Sequence, residues 1–211
     1  MMKNERLLAK LGRRCHMERL IAYGELYMSP IGTFRTIEQT GGIGDPYENY
    51  RSYHNPANPT ITIHLPSGEQ LRLSDRSRIV YGERSEAPGS IYCLTSIDRS
   101  KLGTPEALTE IKRIGTGYDT MILFLDCPEF LRRVERRLQE VGYEMYYGFV
   151  TYYKETDAVH EKLTPFHKRE RFSYQHEYRI YAECTERNPW ILSIGSLEDI
   201  AMLITIPETH P

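Results

Sequence analysis

A chain of 211 residues, 40% hydrophobic and 27% charged, is long enough to bury its own core and too balanced in composition to be disordered. Its formal net charge of -2 excludes a uniformly basic coat for nucleic acid, though not a local basic patch. The longest apolar run, residues 200–206, is too short to cross a bilayer, and the first residues lack an apolar secretion core.

The four cysteines (Cys15, Cys93, Cys127 and Cys184) form no CxxC pair, and the seven histidines form no HExxH. Reduced thiols, a cytoplasmic location, no membrane contact and no metal are the expectations. The length suits one domain over 1–211.

In chain order, residues 4–23 read as helix with a break near Gly12. Leu7, Leu8 and Leu11 form one apolar face, and Met17, Leu20 and Ile21 a second. Gly24 stops the helix, and a strand follows over 25–29. Residues 32–58 are rich in glycine and proline and lack periodicity, the mark of a functional loop rather than a spacer. Alternation over 60–65 and 70–74 around Pro66-Ser67-Gly68-Glu69 predicts a hairpin.

A strand over 90–97, a short helix over 105–113 and a buried strand over 119–125 come next. A marked helix spans 128–141, with Leu131, Val134, Leu138 and Val141 as its apolar stripe and Arg132, Arg133, Arg136 and Arg137 facing outward. Strands over 146–153 and 174–183 follow, and residues 191–207 supply a short helix and a final strand. Strands broken by few helices give the fold class α+β: a mixed, mainly antiparallel β-sheet core flanked by a few helices.

Four groups of residues could carry chemistry. In a strand over 174–183, alternation puts Gln175, Glu177 and Arg179 on one face, with Tyr174, His176, Tyr178 and Ile180 on the other. A polar trio of this kind suits a cleft wall, or a solvated face with a weak Glu177–Arg179 pair. Upstream, Lys168, Arg169 and Arg171 lie between Phe166 and Phe172, a pattern for phosphate contact and ring stacking, or for a solvated loop. In the glycine-rich loop, Asp45 and Glu48 are three residues apart. They could bind a cation or act as acid and base, or could hold their own backbone. Gly41-Gly42-Ile43-Gly44 lacks the Gly-Lys-Ser/Thr of a nucleotide loop.

Taken in order, Leu26-Tyr27-Met28-Ser29, Gly44-Asp45-Pro46-Tyr47-Glu48, Cys93-Leu94-Thr95-Ser96 and Lys168…Phe172-Ser173-Tyr174-Gln175-His176-Glu177-Tyr178-Arg179 resemble the motifs of an uncharacterised bacterial and phage domain family. Gly44 replaces its usual asparagine and Gln175 its first glutamate. The layout also resembles, remotely, the ADP-ribosyltransferases. These have a helix and strand near the N-terminus, a middle Ser-Thr-Ser-type strand and a late Gln/Glu-x-Glu.

That resemblance implies NAD as substrate. Glu177 would bind a ribose hydroxyl and stabilise positive charge as nicotinamide leaves, and Gln175 would orient the acceptor. Thr95 or Ser96 would support Glu177, and a tyrosine such as Tyr174 would stack on nicotinamide. Arg14 is the candidate for the first-strand arginine, although Arg13, Arg14 and His16 read as the start of a helix. Asp45, Glu48, Lys168, Arg169, Arg171 and Arg179 are the candidate substrate contacts.

The expected function is therefore an NAD-dependent ADP-ribosyltransferase-like protein, a toxin or phage–host conflict factor with a protein or nucleic-acid acceptor. The alternative is a non-catalytic module holding nucleic acid or a nucleotide through residues 166–178. A third reading is a metal-dependent nuclease using Asp45, Glu48 and Glu177.

Overall fold

Leu7, Leu8, Ala9 and Leu11 put apolar side chains on almost successive positions, a pattern that serves either a helix or a strand covered on both faces. The computed structural model describes residues 6–33, 50–54, 62–72, 88–154, 156 and 159–207, and in it the strand wins. Strand β1 (Arg6–Gly12) lies inside an eight-stranded sheet, with Leu8 and Ala9 fully buried. The helix expected over 4–23 is thereby corrected. Helix α1 starts only at Arg14 (Arg14–Tyr23) and buries Met17 and Leu20.

Gly24 ends α1 with φ 62°, and its N–H donates to the Leu20 carbonyl at 2.9 Å, a left-handed cap that glycine adopts without strain. A Cβ here would also lie 2.1 Å from the Gly195 carbonyl oxygen, so the position admits no side chain. Strand β2 (Glu25–Pro30) follows, then the short β3 (Tyr53–His54). The hairpin β4 (Thr62–His64) and β5 (Gln70–Arg72) turns where expected, with the Leu65 N–H on the Glu69 carbonyl at 2.9 Å.

Next come β6 (Ser90–Asp98), α2 (Pro105–Ile114), β7 (Thr120–Phe124) and α3 (Cys127–Glu140). Asp126 caps α3 by accepting the Glu129 N–H at 3.0 Å. The buried stripe of α3 is Cys127, Phe130, Val134 and Leu138. Phe130 replaces Leu131 as its first large member, and Val141 falls beyond the helix end, exposed.

Strands β8 (Glu144–Phe149) and β9 (Thr151–Tyr153) are separate where one strand was expected, and β10 (Val159–His160) and β11 (His167–Arg169) are short. Strand β12 is Glu177–Glu183, and β13 (Trp190–Ser193) and β14 (Ala201–Thr205) close the described chain. The helix expected after residue 191 is instead a strand, then a turn whose Leu197 carbonyl accepts the Ile200 and Ala201 N–H groups.

The large sheet runs β13-β2-β6-β1-β7-β14, with β12 on β6 and β8 on β12, every pairing antiparallel. Two helices cover it: α1 packs on β7 and β14, and α3 on β8 and β13. Phe124 and Phe130 meet with ring centroids 4.1 Å apart, and Leu8, Val134, Leu138 and Ile180 complete a continuous core. Each such side chain contributes about 1.5–3 kcal/mol on burial. The result is an α+β fold with a large antiparallel sheet. No helix among the described residues is long and apolar enough to cross a membrane.

Candidate functional site

Strand β6 organises the site because β1 and β12 both pair with it. Glu177 stands opposite Thr95, and Arg179 opposite Cys93, so these four residues share one face at adjoining positions. From β1, Arg6 donates through Nε to Ser96 Oγ at 2.6 Å and through Nη2 to the Ser96 carbonyl at 2.9 Å. Three successive strand neighbours thus deliver Arg6, Ser96 and Glu177 to one place.

The approach to Glu177 departs from a simple strand. Residues Glu170–Gln175 form a 3-10 turn, and His176 ends it in the left-handed region (φ 43°, ψ 45°). Such a conformation costs a side-chain-bearing residue roughly 1–2 kcal/mol, so neighbouring contacts must hold it. Three do: the His176 N–H donates to the Ser173 carbonyl at 3.1 Å, Ser96 N–H donates to the His176 carbonyl at 2.9 Å, and Thr95 Oγ1 donates to the Gln175 carbonyl at 2.7 Å. The expected support of Glu177 by Thr95 and Ser96 therefore acts through the backbone of the two preceding residues.

Gln175 and Glu177 do not share a strand face, as alternation had led one to expect, because the strand begins only at Glu177. A lysine nevertheless brings their side chains together. The pairing of β11 with β9 sets Lys168 inward, where Nζ donates to Gln175 Oε1 at 2.7 Å and to Glu177 Oε2 at 3.0 Å. Arg179 grips the same carboxylate, Nε to Oε1 at 2.8 Å and Nη2 to Oε2 at 3.2 Å, and reaches the Pro165 carbonyl with Nη1.

The cluster is interior, with Lys168 and Glu177 each 5% exposed and Arg179 1%. Burial alone would raise the Glu177 carboxyl. Arg179 and Lys168 outweigh it and hold the carboxyl well below the usual carboxylate range. Beside them, burial pushes the Cys93 thiol far up, with Glu177 adding to the effect, so a protonated Cys93 faces the carboxylate.

Glu177 also lines an open cleft of about 280 Å³ with Arg6, Ser96, Phe149, Tyr152 and His176. That volume lies just under the range of roughly 300–1,000 Å³ common for small-molecule sites. Tyr152 Oη accepts the Glu177 N–H at 2.9 Å, and half-exposed Phe149 meets Tyr178 edge-on at 5.0 Å. A second, smaller recess of about 80 Å³ lies beneath α2 and shares Arg6, Ser96 and His176 with the first.

The expected site residues divide accordingly. Gln175, Glu177, Thr95, Ser96, Lys168 and Arg179 converge. Arg169 is buried nearby, with its guanidinium 5.6 Å from the Phe172 ring, and Arg171 lies at the surface, 5.0 Å from the same ring. The segment therefore turns two of its three cations inward. Tyr174 turns toward α2, where Arg113 stacks on it at 4.4 Å, so Phe149 and Tyr152 are the rings that line the cleft.

Arg14 is not brought in. It sits beyond the far end of β1, about 20 Å along the strand from Arg6, paired with Glu18 at 2.7 Å. Asp45 and Glu48 lie outside the described residues. Arg6 is the contributor that reading the sequence missed, because its segment was assigned to a helix. The available signal was an apolar run broken by a single lysine, the mark of a fully covered strand. That lysine, Lys10, donates to the Cys93 carbonyl at 2.8 Å, and burial lowers its pKa.

Comparison with protein-family models, with curated proteins and with solved structures finds no match.

Proposed function

We propose that the protein is an NAD-using ADP-ribosyltransferase-like enzyme whose reacting centre is the cleft at Glu177. The observation that carries this reading is the convergence of Arg6 from the first strand, Ser96 from a middle strand and Glu177 from a late strand on one open cleft. The residue types suit the parts of the substrate. A guanidinium is a strong partner for a pyrophosphate, and Phe149 and Tyr152 offer faces for a flat heteroaromatic ring. An ionised carboxylate can accept a ribose hydroxyl and place negative charge where positive charge develops as nicotinamide departs.

Lys168 and Arg179 keep Glu177 ionised and fix its orientation. Lys168 also couples it to Gln175, whose amide would orient the acceptor. A protein or nucleic-acid acceptor, and a role as a toxin or phage–host conflict factor in the cytoplasm, belong to the same proposal. The rival, a nucleic-acid-holding module built on residues 166–178, draws less support because Lys168 and Arg169 are buried.

The test is nicotinamide release from NAD by wild type, Ser96→Ala and Glu177→Gln. Release that falls in both variants supports the reading. Release that is absent from wild type, or unaffected by either substitution, overturns it.

A further inference from the structure

We infer that His176 is a positioning residue for Glu177, and that Glu110 of α2 holds it in place from outside the sheet. His176 occupies the single residue between Gln175 and Glu177 and lines both recesses of the site. Its left-handed backbone converts the 3-10 turn into β12, so its orientation fixes where the Glu177 side chain leaves the chain. Its ring is not idle. Nε2 donates to Glu110 Oε1 at 2.6 Å across 66 positions of sequence.

A left-handed corner that served only as a turn would be best filled by glycine. Here a bulky side chain occupies it and is tied to a helix that otherwise meets this junction through Arg113 on Tyr174. With side chains 42% and 40% exposed, His176 and Glu110 contribute little to the core, so their link restrains local geometry rather than supporting the fold. The corner is thus clamped from two sides: β6 holds its carbonyl through the Ser96 N–H, and α2 holds its ring.

The first arm of the test needs no activity. Cys93 stands opposite Arg179 and beside Glu177 and is only partly exposed, so its alkylation reports on opening of the site. Wild type, Glu110→Ala, Glu110→Gln and His176→Gly are alkylated, and each cysteine is quantified by peptide mapping, with exposed Cys15 as the reactive reference and buried Cys127 as the inert one. His176→Gly keeps a residue at ease in the left-handed region and removes only the ring. Alkylation of Cys93 should rise about threefold in Glu110→Ala and in His176→Gly alike, the change that about 0.65 kcal/mol of lost restraint produces. Glu110→Gln, which can still accept the Nε2 hydrogen, should stay near wild type, and Cys127 should not change.

If His176→Gly matches wild type, or if Cys93 and Cys127 rise together, the positioning role is overturned. The second arm rests on the proposed NAD chemistry. Glu110→Ala and His176→Gly should lower kcat for nicotinamide release while KM for NAD holds, with Glu110→Gln recovering most of the rate; a loss confined to KM contradicts it. Absence of release from wild type would overturn the NAD reading alone, because the Cys93 arm decides the positioning role by itself.

Discussion

Lys168 meets Glu177 at 3.0 Å in the interior, although one sits on the short β11 and the other opens β12 of the large sheet, and nothing in their local sequence pairs them. With Arg179 on both carboxylate oxygens, the acid lies between two buried cations. This arrangement governs how Glu177 responds to substitution, to acid and to ligand.

Replacing Glu177 should damage the fold as well as any chemistry. Glu177→Gln removes the carboxylate that Lys168 and Arg179 share in the interior, and breaking a buried pair in this way costs roughly 3–5 kcal/mol. In a chain of this size that lowers Tm by on the order of 10 °C. Adding Lys168→Met removes one of the two buried charges and should recover part of the loss. A Glu177→Gln protein melting within a degree or two of wild type would contradict this account of the cluster.

Acid should act through the same carboxyl. Its folded pKa is depressed, so its contribution to stability is complete above the unfolded value, near 4.3, and is lost as pH falls from there through the lower folded value. Wild type should therefore lose stability steeply below about pH 4.3. Glu177→Gln should show a shallower decline, since it no longer takes up that proton. Denaturant unfolding from about pH 2 to 6 measures both slopes, and equal slopes would show that Glu177 carries no such linkage.

Thr95→Val should cost about 1–2 kcal/mol, because it removes the hydroxyl that satisfies the buried Gln175 carbonyl at 2.7 Å while preserving shape. A ΔΔG near zero in denaturant titration would mean that another donor takes over.

Much of the frame was legible in the sequence. The hairpin around Pro66–Gly68, the capped helix at Asp126 and the long strand of Thr95 and Ser96 all carry local signals: turn residues, a cap with proline behind it, and β-branched and aromatic runs. Gln175 and Glu177 stood out as a polar pair in an aromatic stretch, and Lys168 bridges their side chains.

What escaped reading depends on contacts far apart in sequence. Leu7 to Leu11 fit a helix and a covered strand equally well, and pairing with β6 and β7 decides between them. The left-handed turn at His176 has no glycine to announce it. Lys168 and Arg169 look like surface cations until Glu177 and the parallel pairing with β9 draw that strand inward.

The most direct test of the central claim is the melting shift that NAD produces in wild type and in Arg6→Ala. Arg6 lines the cleft but stands outside the buried ion cluster, so its replacement probes ligand binding without the folding penalty of Glu177→Gln. NAD at about 100 times its dissociation constant adds roughly 2.7 kcal/mol to a native state that binds it, a rise of about 5–10 °C for a chain of this length. Wild type should show that rise, and Arg6→Ala, measured against its own unliganded Tm, should lose most of it. A wild-type Tm that stays flat in millimolar NAD, or a shift that Arg6→Ala retains in full, would contradict the assignment of this cleft to NAD.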